Sequence, residues 1–189
     1  MRRTVPATAL DRTALDRLDR STQGPDTAVV IAPVLQTAVY LMSPDRDEVL
    51  LIHRVRSPDD VHFGKYLSLG GHVEPGEDVL TCARREAFEE SGLVIGDPLL
   101  RGTVLWTGFG EDSRDYLCFV FRADTFTGTQ HADNDEGTLE WVRIDDLASR
   151  PMWDSDHLWL PMVFDDGVRP FFGVMPYDGY EMLSWTYQR

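Results

Sequence analysis

Cysteine is scarce in this sequence: Cys82 and Cys118 are the only two in 189 residues. Both lie in segments with an apolar pattern, and their spacing fits neither a metal site nor a redox pair, so we expect two buried small hydrophobic side chains. A chain of this length buries roughly 70% of the surface that it exposes when unfolded. Its core therefore needs neither disulfides nor a structural metal, and a reducing compartment fits this composition.

Long hydrophobic runs are also missing. No stretch approaches the roughly 18 consecutive apolar residues that span a membrane, and the basic start MRR is not followed by an apolar run of signal-peptide length. We therefore expect a cytoplasmic protein without a membrane partner.

Positive charge is in short supply. There are 18 Lys and Arg residues against 32 Asp and Glu residues, which gives a formal net charge of −14. This charge repels polyanions and argues against a nucleic-acid polymer as partner. If the ligand is nonetheless a small anion, a divalent cation is the candidate for supplying local positive charge.

The hydrophobic pattern predicts one mixed α/β domain over residues 29–189, after an N-terminal arm over residues 1–28 that is either mobile or a short helix. Strand patterns, with alternating or short apolar runs, occupy eight segments: 29–42, 48–55, 66–73, 99–109, 115–123, 139–144, 169–175 and 180–187.

Two segments have helical character. From Asp78 to Ser91 the apolar period changes to 3.6, which predicts a helix of about 14 residues that Gly92 ends. Its predicted buried face consists of Leu80, Ala83, Ala87 and Ser91. A second helix is predicted over residues 156–164, with Asp154 or Ser155 as N-cap and Pro161 as an awkward interior residue.

Three carboxylates of the first helix, Glu86, Glu89 and Glu90, share an arc of about 100°. Like charges at these spacings cost a few tenths of a kcal/mol per pair in an isolated helix, so stability alone does not explain them. Carboxylates are hard oxygen ligands that suit Mg²⁺ or Mn²⁺, and the glycine turn at Gly70 and Gly71 can bring a backbone carbonyl close. The alternative is a solvated acidic face.

The spacing around these glutamates resembles the Nudix box. That pattern reads G, five residues, E, seven residues, R-E-U-x-E-E-x-G-U, where U is a bulky apolar residue. The matching positions here are Gly71, Glu77, Arg85, Glu86, Glu89, Glu90, Gly92 and Leu93. The departure is Ala87 at the first bulky position, which affects local packing more than chemistry.

The resemblance implies the Nudix fold, a mixed β-sheet sandwiched between helices with the box as loop, helix and loop. It also implies metal-dependent hydrolysis of a nucleoside diphosphate linked to another group. Carried over residue by residue, it implies that Glu86, Glu89, Glu90 and the carbonyl of Gly70 bind Mg²⁺ or Mn²⁺.

The remaining box residues, Arg85 and Glu77, are expected to orient the ligands. The general base is expected to be Glu90 or Glu136. Glu136 lies in the polar loop HADNDEGTLEW, where related proteins often carry a further metal ligand or base. An exposed turn glutamate is the alternative for that residue.

The C-terminal third is similar to MutT-like oxidised-purine nucleoside triphosphatases, in which a segment W-x-D-D-x-x-W-x-P contacts the base. The matching residues are Trp153, Asp156, Trp159 and Pro161. Ser155 replaces the first Asp, and Leu67 stands where that branch has an Asn.

Four residues are therefore expected to bind substrate: Trp153, Asp156, Leu67 and Tyr66. Phe63 and His72 are candidates because they lie near the box in sequence. Trp159 is expected in the core, and for Asp156 a simple N-cap role is the alternative.

The leading hypothesis is an Mg²⁺-dependent enzyme, a monomer or homodimer, that hydrolyses a purine nucleoside triphosphate to the monophosphate and pyrophosphate. Oxidised substrates such as 8-oxo-dGTP would make it a sanitiser of the nucleotide pool. The same chemistry on ADP-ribose, a nucleotide sugar or a dinucleoside polyphosphate is one alternative. A non-catalytic nucleotide-sensing domain is another.

Overall fold

A ten-stranded mixed sheet forms the centre of the molecule, whose computed structural model describes residues 3–5, 31–167 and 169–189. The strands are β1 (Arg3–Val5), β2 (Val34–Met42), β3 (Glu48–Arg54), β4 (Tyr66–Leu67), β5 (Leu93–Ile95), β6 (Leu99–Phe109), β7 (Arg114–Ala123), β8 (Phe126–Gly128), β9 (Gly137–Arg143), β10 (Phe171–Gly179), β11 (Glu181–Met182) and β12 (Trp185–Gln188). The helices are α1 (Val79–Ser91), a 3-10 helix (Ile144–Ser149) and α2 (Asp156–Phe164). Except for β1, the predicted arm over residues 1–28 lies outside the described residues.

The sheet has the strand order β1-β12-β10-β6-β7-β2-β3-β4, with β9 added on β3 and β11 on β10. The pairs β2–β7 and β6–β10 are parallel, whereas the other pairs are antiparallel. A separate two-stranded sheet is formed by β5 and β8. The predicted mixed α/β class is confirmed.

Alternate residues of β2 pack on opposite faces of the sheet. Ala38 and Tyr40 belong to an apolar cluster that includes Trp159 of α2, whereas Val39 and Leu41 belong to a second cluster that includes Ala83 of α1. Because each face of β2 is covered by a helix, its buried residues from Ala38 to Met42 are all apolar rather than alternating. The sheet is thus sandwiched between helices, as expected.

Helix α1 begins and ends where the sequence predicts. The carboxylate of Asp78 accepts hydrogen bonds from the backbone N–H groups of Leu80 (2.8 Å) and Thr81 (3.1 Å), and Gly92 ends the helix with a φ of 75°. One residue of the predicted buried face is wrong. Leu80 is exposed, and Cys82 is buried in its place beneath the 70–72 turn, where its thiol contacts the Gly71 carbonyl.

Helix α2 is held at its C-terminal end by two buried arginines. Arg101 Nε and Arg122 Nη1 donate to the carbonyl of Val163 (3.0 and 3.3 Å), one of the last carbonyls that the helix itself leaves without a partner. Pro161 lies inside the helix, and Ser155 occupies the N-cap position without a side-chain capping bond.

The predicted strand over residues 66–73 is shorter than expected. Only Tyr66 and Leu67 pair with β3, and Leu69 and His72 then form isolated bridges to β2. The pairing changes from β3 to β2 between Leu67 and Leu69, and Gly70, with a φ of 133°, then interrupts the pairing with β2 between Leu69 and His72.

Both cysteines are free and buried, as expected. Within the described parts of the chain, the helices are too short or too polar to cross a membrane.

Candidate active site

Two adjoining cavities lie at one end of the sheet. The larger, about 370 Å³, has seven Phe, Trp and Tyr residues in its lining and is called here the aromatic cleft. The smaller, about 320 Å³, is the acidic pocket, which is lined by Glu86, Glu89, Glu90, His131, Asp133, Asn134, Asp135 and Glu136. Glu136 lines both cavities, so they meet at this carboxylate.

Arg85 organises the box carboxylates. Its Nε and Nη2 donate to the two carboxylate oxygens of Glu77 (2.9 and 3.0 Å), and its Nη1 donates to Glu86 (2.8 Å) and Glu89 (3.0 Å). The hydrogen bonds from Arg85 lower the pKa of Glu77. Glu77 pairs with Arg85 and does not line the acidic pocket, and the orienting role of both residues stays a prediction.

Glu86 lies against the glycine turn. A Cβ on Gly71 would lie 2.4 Å from Glu86 Oε1, so only glycine lets this carboxylate reach its position. Burial raises the pKa of Glu86, and the hydrogen bond from Arg85 opposes that shift.

Glu90 is tied to the same turn from the other side. Its Oε2 accepts a hydrogen bond from the Gly70 N–H (2.8 Å). Burial raises the pKa of Glu90 well above its ordinary value, and the charges of Glu136 and Glu86 add to the rise. The flanking backbone bonds from β2 end on the carbonyls of Leu69 and Gly71, which leaves the Gly70 carbonyl out of that ladder.

The loop that carries Glu136 is fixed by Asn134. The side-chain oxygen of Asn134 accepts from the backbone N–H groups of Glu136 (2.9 Å) and Gly137 (3.0 Å), and its amide donates to the Glu90 carbonyl (3.3 Å). The Glu136 carboxylate forms an ion pair with Arg54. The loop therefore brings Glu136 to the helix that carries the other carboxylates.

The donor set of the acidic pocket suits a divalent cation, although the side chains are not converged on one point. Among the described residues, no three Asp, Glu, His or Cys side chains are grouped closely enough to ligate one ion. Glu86 and Glu89 form ion pairs with Arg85, and Glu136 forms one with Arg54. Burial and neighbouring carboxylates nonetheless raise the pKa values of Glu86 and Glu90, and a bound Mg²⁺ or Mn²⁺ would stabilise the ionised form of both.

The aromatic cleft contains two of the residues expected to contact a base. Trp153 is half-buried in its wall, and the Trp153 Nε1 donates to His62 Nδ1 (3.0 Å). Asp156 lines the inner end and is only 7% exposed. Burial raises the pKa of Asp156 to about 7, so this carboxyl exchanges its proton near neutral pH.

The other predicted binding residues divide into two groups. Leu67 and His72 line the cleft. Tyr66 lies outside it, stacked on His53 with its hydroxyl donating to Glu140 (2.8 Å), and Phe63 is exposed elsewhere. Trp159 is buried in the core as expected, and its ring also backs the cleft.

Several cleft residues were not anticipated from the sequence: Gln36, Tyr40, Arg54, His62, Ser68, Trp106, Phe109, Tyr116 and Tyr177. Most lie on β2, β6, β7 and β10, where strand alternation points their side chains toward the α2 side of the sheet. The alternation was visible in the sequence, but the strand order that gathers these strands was not.

The NUDIX domain family model matches residues 33–162. This range contains the box residues, from Gly71 to Leu93, and the loop that carries Glu136. The chain belongs to the Nudix family. Nudix enzymes generally use divalent metal ions and act on small nucleotide substrates.

Named relatives support the MutT-like branch of the Nudix family. The chain is 32% identical over 149 residues to the oxidized purine nucleoside triphosphate hydrolase of Danio rerio, covering 79% of this chain and 90% of that protein. It is also 32% identical over 155 residues to a Nudix hydrolase of Bacillus subtilis strain 168, covering 80% and 93% respectively.

A solved MutT structure from Bacillus halodurans superimposes with a TM-score of 0.71 at 28% identity, covering 82% of this chain and 97% of that one. The chain is thus a Nudix hydrolase with the MutT-like fold.

Proposed function

We propose that this Nudix hydrolase cleaves a purine nucleoside triphosphate, including oxidised forms, to the nucleoside monophosphate and pyrophosphate with Mg²⁺ or Mn²⁺. The observation that carries the proposal is the junction of the two cavities at Glu136. A base in the aromatic cleft would extend its phosphates into the acidic pocket.

Glu86, Glu89, Glu90, Glu136 and the Gly70 carbonyl are the groups that would hold the cation. When bound, a divalent cation neutralises polyphosphate charge and lowers the pKa of water. Arg85 and Gly71 keep Glu86 in place, and the Gly70 N–H keeps Glu90 in place. Glu90 and Glu136 are the candidates for accepting the proton of the attacking water, because both border the acidic pocket.

The aromatic cleft offers both stacking faces and one titrating carboxyl to a base. The indole of Trp153 and its aromatic neighbours provide apolar surface. Asp156 accepts hydrogen bonds from a purine edge when ionised and donates one when protonated, and its pKa of about 7 allows both states. We assign base recognition to Trp153, Asp156 and Leu67, which line the cleft, and not to Tyr66, whose hydroxyl donates to Glu140.

The relative named as an oxidized purine nucleoside triphosphate hydrolase supports this assignment. Removal of oxidised nucleotides from the cytoplasmic pool is the role that such an activity would serve. The same active site on another nucleoside diphosphate derivative is the second candidate, because Ser155 and Leu67 depart from the base-reading residues of the MutT-like branch.

A substrate panel tests the proposal. Purified protein with Mg²⁺ or Mn²⁺ is assayed on dGTP, 8-oxo-dGTP, dATP, 2-hydroxy-dATP, ADP-ribose, a nucleotide sugar and a dinucleoside polyphosphate. The highest kcat/KM is expected on a purine triphosphate, and Glu89→Gln should abolish it while the exposed Glu74→Gln should not. Highest activity on ADP-ribose or a dinucleoside polyphosphate would instead establish the second candidate.

A further inference from the structure

His62 is joined to Trp153 across the rim of the aromatic cleft. The Trp153 Nε1–H donates to His62 Nδ1 at 3.0 Å, and the two rings meet edge to face with centroids 5.7 Å apart. An indole nitrogen is only a donor, so His62 Nδ1 must be the acceptor. His62 therefore carries its proton on Nε2 while this bond exists.

The turn that carries His62 is itself anchored. The backbone N–H of His62 donates to Asp60 Oδ1 (3.0 Å), and Asp60 Oδ2 accepts from Arg54 Nε (3.1 Å) and Nη2 (2.5 Å). Arg54 also pairs with Glu136. A polar chain thus runs from the junction of the two cavities, through Asp60 and His62, to the indole of Trp153.

The Trp153 ring is further fixed by its neighbours. Lys65 Nζ lies 4.5 Å from the ring centroid, a cation–π distance, and Phe109 meets the ring edge to face at 5.8 Å. Trp153 lines the cleft but lies on the loop before α2, which has no strand ladder to hold it. The bond to His62 therefore supplies a directional restraint on the indole.

We propose that His62 is a positioning residue for substrate selection, which holds the Trp153 indole at the orientation that receives the base. This inference rests on the proposed function, since it assumes that a base enters the aromatic cleft. Its consequence is that substrate affinity depends on an acceptor at position 62, whereas the hydrolytic step in the acidic pocket does not.

The charged groups that face His62 are Asp60, Arg54 and Lys65. Burial lowers the pKa of His62, Asp60 opposes that shift, and Arg54 and Lys65 reinforce it. The pKa of His62 therefore lies below its ordinary value of 6.5, and the imidazole is neutral at pH 7. Protonation places a hydrogen on Nδ1, opposite the indole N–H, and removes the acceptor.

The test is a double-mutant cycle with a non-hydrolysable purine triphosphate analogue, whose Kd is measured at pH 7.5 with Mg²⁺. His62→Leu and Trp153→Phe should each raise Kd about three- to tenfold, the effect of one hydrogen bond. The double variant should be no weaker than Trp153→Phe alone. His62→Asn, which keeps an acceptor, should stay within about twofold of wild type, as should His157→Leu on α2. Additive losses, or equal losses in His62→Leu and His62→Asn, would overturn the proposal.

A second readout needs no nucleotide. In protein with ¹⁵N-labelled tryptophan, the Trp153 indole resonance, assigned with Trp153→Phe, should shift on acidification with a midpoint below 6.5 and lose this shift in His62→Leu. A resonance insensitive to both changes would refute the bond. If the protein binds the analogue but hydrolyses none of the purine triphosphates of the substrate panel, the proposed function is overturned and the cycle still decides this inference. A wild-type protein that binds no analogue would overturn both.

Discussion

Gly71 and Glu86 are packed so closely that a Cβ on residue 71 would lie 2.4 Å from the carboxylate oxygen Oε1. Gly71→Ala must therefore displace Glu86, which Arg85 and the turn otherwise hold at the rim of the acidic pocket. We expect kcat/KM to fall about a hundredfold, because an error of about 1 Å at such a group costs that much. Steady-state kinetics of Gly71→Ala and wild type with Mg²⁺ measure this fall in kcat/KM.

Gly167→Ala is the matched control, since its Cβ would meet its nearest neighbour at an ordinary 3.5 Å. It should keep wild-type kinetics. Equal activity of Gly71→Ala and wild type would show that Glu86 has no fixed role.

Substitution by lysine should reduce activity at Arg85 but not at its neighbour Arg84. Arg85 makes a two-pronged pair with Glu77 and reaches Glu86 and Glu89, a geometry that a lysine ammonium cannot reproduce. Arg85→Lys should lose about 10- to 100-fold in activity or in metal affinity. Arg84→Lys, at an exposed pair with Asp97, should lose almost nothing. Comparable effects in the two variants would contradict the orienting role.

Glu90 should destabilise the protein in the absence of cations and become favourable in their presence. Burial and neighbouring carboxylates raise its pKa well above the ordinary value, so its charge opposes folding at neutral pH. Glu90→Gln, which can still accept from the Gly70 N–H, should melt a few degrees above wild type in EDTA.

With Mg²⁺ or Mn²⁺ the wild type should instead melt at a higher temperature than Glu90→Gln. A cation at a hundred times its Kd stabilises the wild type by about 2.7 kcal/mol, and Glu90→Gln should gain clearly less. Differential scanning calorimetry with and without cation measures both shifts. A wild-type melting temperature that cations do not move would contradict the metal assignment.

Asp156 should make stability fall as pH rises. Its pKa is raised by burial from 3.8 to about 7, so the folded state holds a proton that the unfolded state has already lost between these values. Relative to Asp156→Asn, the wild type should lose roughly 3 kcal/mol of unfolding free energy between pH 4 and 7 and level off above pH 8. Urea unfolding of both proteins at pH 4, 5, 6, 7 and 8 gives the difference, and parallel curves would show that Asp156 does not titrate in this range.

The sequence predicted the features that depend on residues close together in the chain. Helix α1 was predictable because Asp78 caps it, Gly92 ends it, and small residues recur at its period. Leu80 was wrongly predicted to be buried, because the helical period of the apolar residues identifies a buried face but not where that face ends. The strand over residues 66–73 was predicted too long because its pairing changes from β3 to β2 and because Gly70, with its positive φ, then interrupts the pairing with β2.

The acidic helix face was visible from residue spacing, whereas the aromatic cleft was not. Its walls come from strands that are distant in sequence but adjacent in the sheet, such as β6 and β10, which pair in parallel. The partners of Tyr66 and Trp153 are likewise tertiary: Glu140 on β9 takes the Tyr66 hydroxyl, and His62 takes the Trp153 indole. No spacing rule connects such residues.

The most direct measurement is the identity of the products. Phosphorus NMR of dGTP or 8-oxo-dGTP turned over with Mg²⁺ should show nucleoside monophosphate and pyrophosphate in equal amounts, with no signal growth in Glu89→Gln. Nucleoside diphosphate with orthophosphate, or turnover that survives both Glu89→Gln and EDTA, would contradict the account.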